Sequence, residues 1–188
     1  MVGVDLKPQD AYPFKFYQAD AMEMLGDSTF LQRFDFIHAS PPCQRYSRMT
    51  WRWPDRVKSH PDLIEPVREA LIDTGIPWTM ENVEYAPLLE PLRLCGSMFG
   101  LEVRRHRFFE SSFPMVQPAC AHHLQDHVIR VYGSTGGSSK RDKVQFGTVD
   151  DWRRAMDIDW MTSKELKEAI PPAYSEHIMQ AWLVDQAW

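Results

Sequence analysis

The sequence predicts an α/β fold built on a parallel sheet, and three observations predict it. Short apolar runs alternate with stretches of helical spacing, proline or glycine closes several of the runs, and chemistry-bearing polar residues gather just past their carboxyl ends. In open sheets of this kind, ligands bind at the carboxyl ends of the strands.

Val2-Gly3-Val4-Asp5 reads as a short buried strand that ends in an acid and is broken by Lys7-Pro8. A second strand is expected over residues 14–18, and Ala19-Asp20 opens a short helix reaching Leu25. Residues 34–39 form a strand stopped by Ser40-Pro41-Pro42. Residues 60–74 place Leu63, Val67, Ala70 and Leu71 on one side of a helix, with Gly75 as the stop. Strands follow from Trp78 to Val83 and from Arg107 to Glu110. Asp5, residues 40–44 and Glu81-Asn82 are therefore expected on one sheet edge. Residues 111–160 differ in texture, with Cys120, His122, His123 and His127, a short strand from Val128, and a flexible Gly-Ser run from Gly133 to Ser139. They read as a small insert between a core (1–110) and C-terminal helices returning to it (161–188). Those helices are expected over 163–169 and 174–186, with Pro171-Pro172 between them.

The chain of 188 residues is long enough to bury a real core as one domain with a small appendage. No apolar run approaches the roughly 20 residues of a membrane span, and the start has neither a basic nor a long apolar segment. Cytoplasmic placement, no signal peptide and no membrane partner are expected. Three scattered cysteines fit free thiols in a reducing compartment. The net charge of −5 argues against a nucleic-acid partner, but the distribution argues for one. Arg45, Arg48, Arg52, Arg56 and Lys58 face one acid, Asp55; Arg104, Arg105 and Arg107 form a second group; Lys140 and Arg141 follow the Gly-Ser run.

Three short segments carry chemistry. Cys43 follows a strand in Ser40-Pro41-Pro42-Cys43-Gln44, where two prolines stiffen the backbone and nearby arginines favour a thiolate. Glu81-Asn82-Val83 ends the next strand, where partial burial lets a carboxyl hold its proton. Arg105-His106-Arg107 begins a further strand, whose alternation points both guanidiniums to one face. Taken singly, each has a plainer reading: a turn with an incidental cysteine, a capping acid, a surface pair.

Together, their order, spacing and strand-end placement resemble the catalytic core of the DNA cytosine-C5 methyltransferase family, and more closely the short methylases of phages and prophages. Residues 94–100, Leu-Cys-Gly-Ser-Met-Phe-Gly, and Ile170-Pro171-Pro172-Ala173-Tyr174 add to the likeness, which covers most of 1–110 and 161–180. The resemblance implies a Rossmann-like S-adenosylmethionine-dependent methyltransferase sheet and double-stranded DNA as partner. It implies that the Cys43 thiolate attacks C6 of a cytosine flipped from the duplex, that Glu81 hydrogen-bonds N3, that Arg107 holds O2, and that Arg105 supports the loop carrying Cys43. C5 then takes the methyl group from S-adenosylmethionine. Asp5 would hold the donor's ribose, Asp20 its adenine amine, and Pro42 would border the adenine, although both acids also read as caps. Gln44, Arg45, Ser47 and Arg48, with Asn82 beside the catalytic acid, would face the substrate and the DNA backbone. Residues 111–160 would read the target, with Lys140 and Arg141 on phosphates.

The sequence departs from the family in lacking the Phe-x-Gly-x-Gly loop and its strand, which in the family sheet lies between the strands expected at Val2 and at Phe34. Three explanations stand: a fragment, a second polypeptide supplying the strand, or a refilled gap with donor binding altered. Val103 stands where a glutamine is usual, and Pro171-Pro172-Ala173-Tyr174 replaces a Gly-Asn signature. A non-catalytic DNA- or partner-binding module and an RNA cytosine-C5 methyltransferase are the alternatives. Cys120, His122, His123 and His127 are zinc-capable types without a standard four-ligand spacing, so no metal is assigned.

Overall fold

The computed structural model describes residues 1–48, 50–133, 138–139 and 144–187. They divide into two units, Met1–Pro91 with Phe109–Phe113, and Leu92–Phe108 with Pro114–Trp188. The division thus falls near residue 91, whereas composition suggested 110, and the segment from Phe109 returns to the first unit as part of a strand.

In the first unit, β1 (Val2–Asp5) pairs in parallel with β2 (Lys15–Gln18), in register from Val2 opposite Lys15 to Asp5 opposite Gln18. Helices α1 (Ala21–Gly26) and α2 (Ser28–Leu31) follow, capped by the Asp20 and Asp27 carboxylates. Then β3 (Ile37–Ala39) leads, through α3 (Pro54–Ser59) and α4 (Ile64–Asp73), to β4 (Trp78–Asn82). Helix α4 starts later than its apolar spacing suggests, because Pro61 holds His60 extended. Pro66, in its first turn, needs no intrahelical donor there. Strands β3 and β4 are parallel, with Ile37 opposite Trp78 and Ala39 opposite Met80. Ile64, Val67 and Leu71 of α4 pack on Trp78 and Met80 of β4, with Ile37 and Ala39 at the margin.

A four-stranded sheet runs in the order β3-β4-β6-β5, with β5 at Leu92–Leu94 and β6 at Arg107–Ser111. The amide of Ser112, just past β6, bonds the carbonyl of Trp78 at the start of β4, so β6 runs antiparallel to β4. The single parallel sheet expected from sequence is therefore corrected to a mixed four-stranded sheet plus a separate two-stranded one. Among the described residues no strand joins β1 to β3. The chain is mixed α/β.

The second unit holds a three-stranded sheet, β7 (Val128–Ile129), β8 (Ser138–Ser139) and β9 (Val144–Gln145), in the order β7-β9-β8. Helices α5 (Val149–Met156), α6 (Ser163–Leu166) and α7 (Pro172–Asp185) complete it. Its core is Val103, Ile129, Val131, Trp152, Ala155, Met156, Ile158 and Leu166. Capping boxes at Thr148/Asp151 and Thr162/Glu165 start α5 and α6. No helix among the described residues is long and apolar enough to cross a membrane.

One buried ion pair ties the first unit together. Arg68 of α4 grips Glu110 of β6 with two bonds, of 2.6 and 2.9 Å, and both side chains are about 95% buried from solvent. Arg68 also donates to Glu65 and to the carbonyl of Pro87, and Glu110 accepts the amide of Leu89. Every polar atom of the fork is thereby used, which is what makes a buried pair tolerable. Replacing Arg68→Met leaves a buried carboxylate. It should lower the unfolding free energy by about 3–5 kcal/mol in urea denaturation, and a loss under about 1 kcal/mol would show the pair to be peripheral.

Candidate functional site

The parallel register of β3 and β4 brings their carboxyl ends to one edge of the sheet. Ser40-Pro41-Pro42-Cys43 leaves β3 there, and Glu81-Asn82 ends β4 there. Glu81 and Asn82 are buried, Asn82 completely. The Asn82 side chain closes the arrangement: its Nδ2 donates to the carbonyl of Pro41 at 2.8 Å, and its Oδ1 accepts the amide of Val83. Pro41 is itself buried. A proline carbonyl buried without a donor would be costly, so Asn82 fixes the loop two residues before the thiol. On the other side, Tyr46 donates its amide to the carbonyl of Cys43, forming a tight turn over residues 43–46. Cys43 is half-buried, held between two anchored points. His38 steadies the start of the loop, with Nδ1 on the Thr79 hydroxyl at 2.8 Å and Nε2 on that of Ser40 at 3.1 Å.

The acids expected to hold a donor lie at the carboxyl edge of the two-stranded sheet, and both act locally. Asp5, exposed, accepts the amide of Lys7 at 2.8 Å and the amide side chain of Gln9 at 3.3 Å. Asp20 accepts the amide of Met22 at 2.8 Å as the cap of α1. Pro42 is exposed beside Cys43. Of the basic run, Arg45 pairs with Asp62 at 3.3 Å and donates to the carbonyl of His60. Arg48 pairs with Glu84 at 3.4 Å and lies over the Tyr85 ring. These pairs are solvent-accessible and weak, so phosphate could replace the carboxylates at little cost. Gln44 is exposed and Ser47 half-buried. Burial and the nearby Asp62 carboxylate push the Tyr46 phenol well up. Lys140 and Arg141 lie outside the described residues.

In the second unit the Arg105–Arg107 segment is not the start of a regular strand. β6 begins at Arg107, and Arg105 has a left-handed backbone with φ of 30°. Alternation therefore does not extend across the pair, which corrects the expectation that both guanidiniums share a strand face. A left-handed non-glycine residue costs about 1–2 kcal/mol, and the neighbours offset it. The buried Tyr174 hydroxyl donates to the carbonyl of Arg105 at 2.8 Å and approaches that of Arg104 at 3.4 Å. Burial pushes the Tyr174 phenol well above its ordinary range, keeping that proton in place. The Arg105 guanidinium donates to the carbonyls of Lys167 and Val131 at 2.5 and 3.3 Å, and Arg107 donates to that of His106 at 2.9 Å. Gly96 completes the brace: its amide donates to the carbonyl of Arg104 at 2.9 Å, and a Cβ there would meet the carbonyl of Val103 at 2.1 Å. The Leu94-Cys95-Gly96 and Pro172-Ala173-Tyr174 segments thus hold the arginine segment from two directions.

Sequence reasoning found only half of what surrounds this brace, Cys120 and His122. Cys95 and His106 join Cys120 and His122, with one potential ligand atom from each lying within 4.8 Å of all the others. His123 and His127, also considered from sequence, are exposed and outside the group. Burial pushes the Cys95 thiol up. Burial, then the charges of Arg104 and Arg93, push His122 down. Separations of eleven, fourteen and two residues give no recognisable ligand motif, so only folding reveals the group.

The Asn82 anchor generates a measurable expectation. Asn82→Ala strands the carbonyl of Pro41 and should cost about 1–3 kcal/mol of stability, with a several-fold faster alkylation of Cys43 followed by peptide mass spectrometry. Unchanged alkylation would mean that the prolines alone hold the loop. In comparisons with known proteins, no family model matches this chain and no curated protein matches it.

Proposed function

We propose that this chain is a cytosine-C5 methyltransferase acting on DNA, with Cys43 as nucleophile and Glu81 as the acid that steadies the ring. The supporting observation is the bond from Asn82 to Pro41, which ties the Pro-Pro-Cys loop to the strand end that carries Glu81. A thiol on a stiffened loop that is tied to the strand end bearing a buried carboxyl suits attack on an electron-poor ring carbon.

In this reading the Cys43 sulfur bonds C6 of a flipped cytosine while Glu81 holds its proton on N3, giving an enamine-like C5. C5 would then bond the methyl carbon supplied by S-adenosylmethionine as the carbon–sulfur bond breaks, with S-adenosylhomocysteine as the leaving group. Loss of the C5 proton to a base then expels the thiolate and restores the ring. Asp5, Asp20 and Pro42 are the residues this reading gives the donor; Arg105 and Arg107 are assigned by resemblance, Arg107 to the base oxygen. Double-stranded DNA is the partner it takes, and a Rossmann-like methyltransferase sheet is its fold. The separation of β1-β2 from β3-β4 is what this reading expects where the family's glycine-loop strand is lacking. The same separation favours a second reading, a DNA- or partner-binding module that has lost the donor.

Duplex DNA containing 5-fluorocytosine has no C5 proton to release, so it traps the adduct. With labelled S-adenosylmethionine, the protein should form a denaturant-resistant, labelled complex that Cys43→Ala abolishes. Glu81→Gln should slow methyl transfer on ordinary DNA by about 10²–10⁴-fold. Retained DNA binding with neither an adduct nor calorimetric binding of S-adenosylhomocysteine would replace the enzyme with the binding module. Trapping on 5-fluorocytosine RNA alone would move the substrate to RNA.

A further inference from the structure

Four soft or borderline ligands converge in the second unit and take no part in the reaction above. Cys95 follows β5, His106 precedes β6, and Cys120 and His122 lie on the loop entering the short 3-10 turn His122–Leu124. The Cys95 sulfur is 3.2 Å from Nε2 of His122, and the Cys120 sulfur is 3.8 Å from Nε2 of His106. With Zn–S near 2.3 Å and Zn–N about 2.0–2.1 Å, the ligand atoms of a zinc tetrahedron lie roughly 3.3–3.8 Å apart. The two sulfur–nitrogen distances sit on or beside that range, and all four atoms fall within a sphere an ion could fill after small adjustments.

We infer that Cys95, His106, Cys120 and His122 bind one zinc ion as a closed structural site. Two thiolates and two imidazoles are a set that suits tetrahedral zinc, and four protein ligands leave no open position for substrate. The thiolates balance the charge of the ion, which lets the centre sit against the fully buried Cys95. The surroundings are those of oriented ligands. The Ser97 hydroxyl lies 3.2 Å from the Cys95 sulfur and accepts the amide of Ala121 at 3.1 Å, joining two ligand-bearing segments. Arg93 directs Nη2 at the Cys120 sulfur from 3.8 Å, and its buried Nε has no hydrogen-bond partner. A neighbour directed at a ligand atom in this way orients it for the ion.

The site also answers a structural need. Between β6 and β7, residues 112–127 contain one 3-10 turn and no other helix or strand. Such a segment has few backbone bonds of its own, and an ion held from three directions pins it. His106 lies between Arg104–Arg105 and Arg107, so the same ion fixes the stretch braced by Tyr174 and Gly96.

The test uses the full chain purified without added chelator. Elemental analysis should give one zinc per chain. Apo protein prepared with chelator and titrated with Co²⁺ should saturate at one equivalent, with the intense visible bands of a tetrahedral ion and thiolate-to-cobalt charge transfer in the near ultraviolet. Cys120→Ser and His122→Ala should each abolish stoichiometric zinc, whereas His123→Ala and His127→Ala should retain it. Arg93→Met should weaken affinity by about 10–100-fold. The cobalt spectrum of the unaltered chain is independent of whether any variant folds. Metal-free protein whose cobalt spectrum is the weak one of an octahedral ion, or lacks thiolate charge transfer, overturns the site and leaves a hydrogen-bonded thiol–imidazole cluster. Neither result depends on methyl transfer.

Discussion

The hydrogen bond from Asn82 to the carbonyl of Pro41 is the constraint on which the placement of the Cys43 loop in the first unit depends. Parallel pairing of β3 and β4 brings two strand ends together, but a strand end fixes only the residue that leaves it. Two prolines remove backbone freedom without specifying direction. The buried amide supplies the direction, because it can be satisfied only if Pro41 stays within reach. Cys43 is then placed by geometry that begins inside the sheet, a stronger form of positioning than a loop held by surface contacts. The salt bridges of Arg45 and Arg48 further along are of the weaker kind and can be exchanged for other anions.

Much of the first unit was legible because local chemistry and topology agree there. Val2–Asp5 is the strand its apolar run announces, though half-buried rather than buried. Trp78–Asn82 is the strand expected, and its complete burial explains the absence of alternation. The placement of Ser40 and Glu81 at one edge followed from reading strands before each of them and a parallel sheet. What the sequence concealed was long-range. Nothing local tells that β6 returns antiparallel to β4, or that Arg68 reaches Glu110 across 42 residues. Nor does a run of residues disclose that Asn82, beside the acid of interest, bonds a proline 41 positions earlier.

The second unit was harder to read, for different reasons. Helix α5 begins at a capping box, Thr148 with Asp151, but the acids there look like a solvated cluster when the apolar face, Trp152, Ala155 and Met156, is not weighed with them. The arginine segment reads as an alternating strand because the alternation is real from Arg107 onward, while Arg105 departs from it through one left-handed residue. The Cys–His group was half legible: Cys120 and His122 stood out as zinc-capable types, but Cys95 and His106 come from two other segments. Motif spacing finds ligands that share a turn, and here only Cys120 and His122 do.

Splitting the sheet leaves β1 and β3 each with one flank that no strand covers among the described residues. A row of open amides and carbonyls is a template for adding another strand, whether from a neighbour or from an identical molecule. Here the two rows are four and three residues long, and Lys7-Pro8 and Pro41-Pro42 interrupt the backbone soon after each ends. Shortness and proline limit how far any foreign strand can zip along them. Both open flanks therefore stop within a few residues, and that of β3 stops where the loop carrying Cys43 begins.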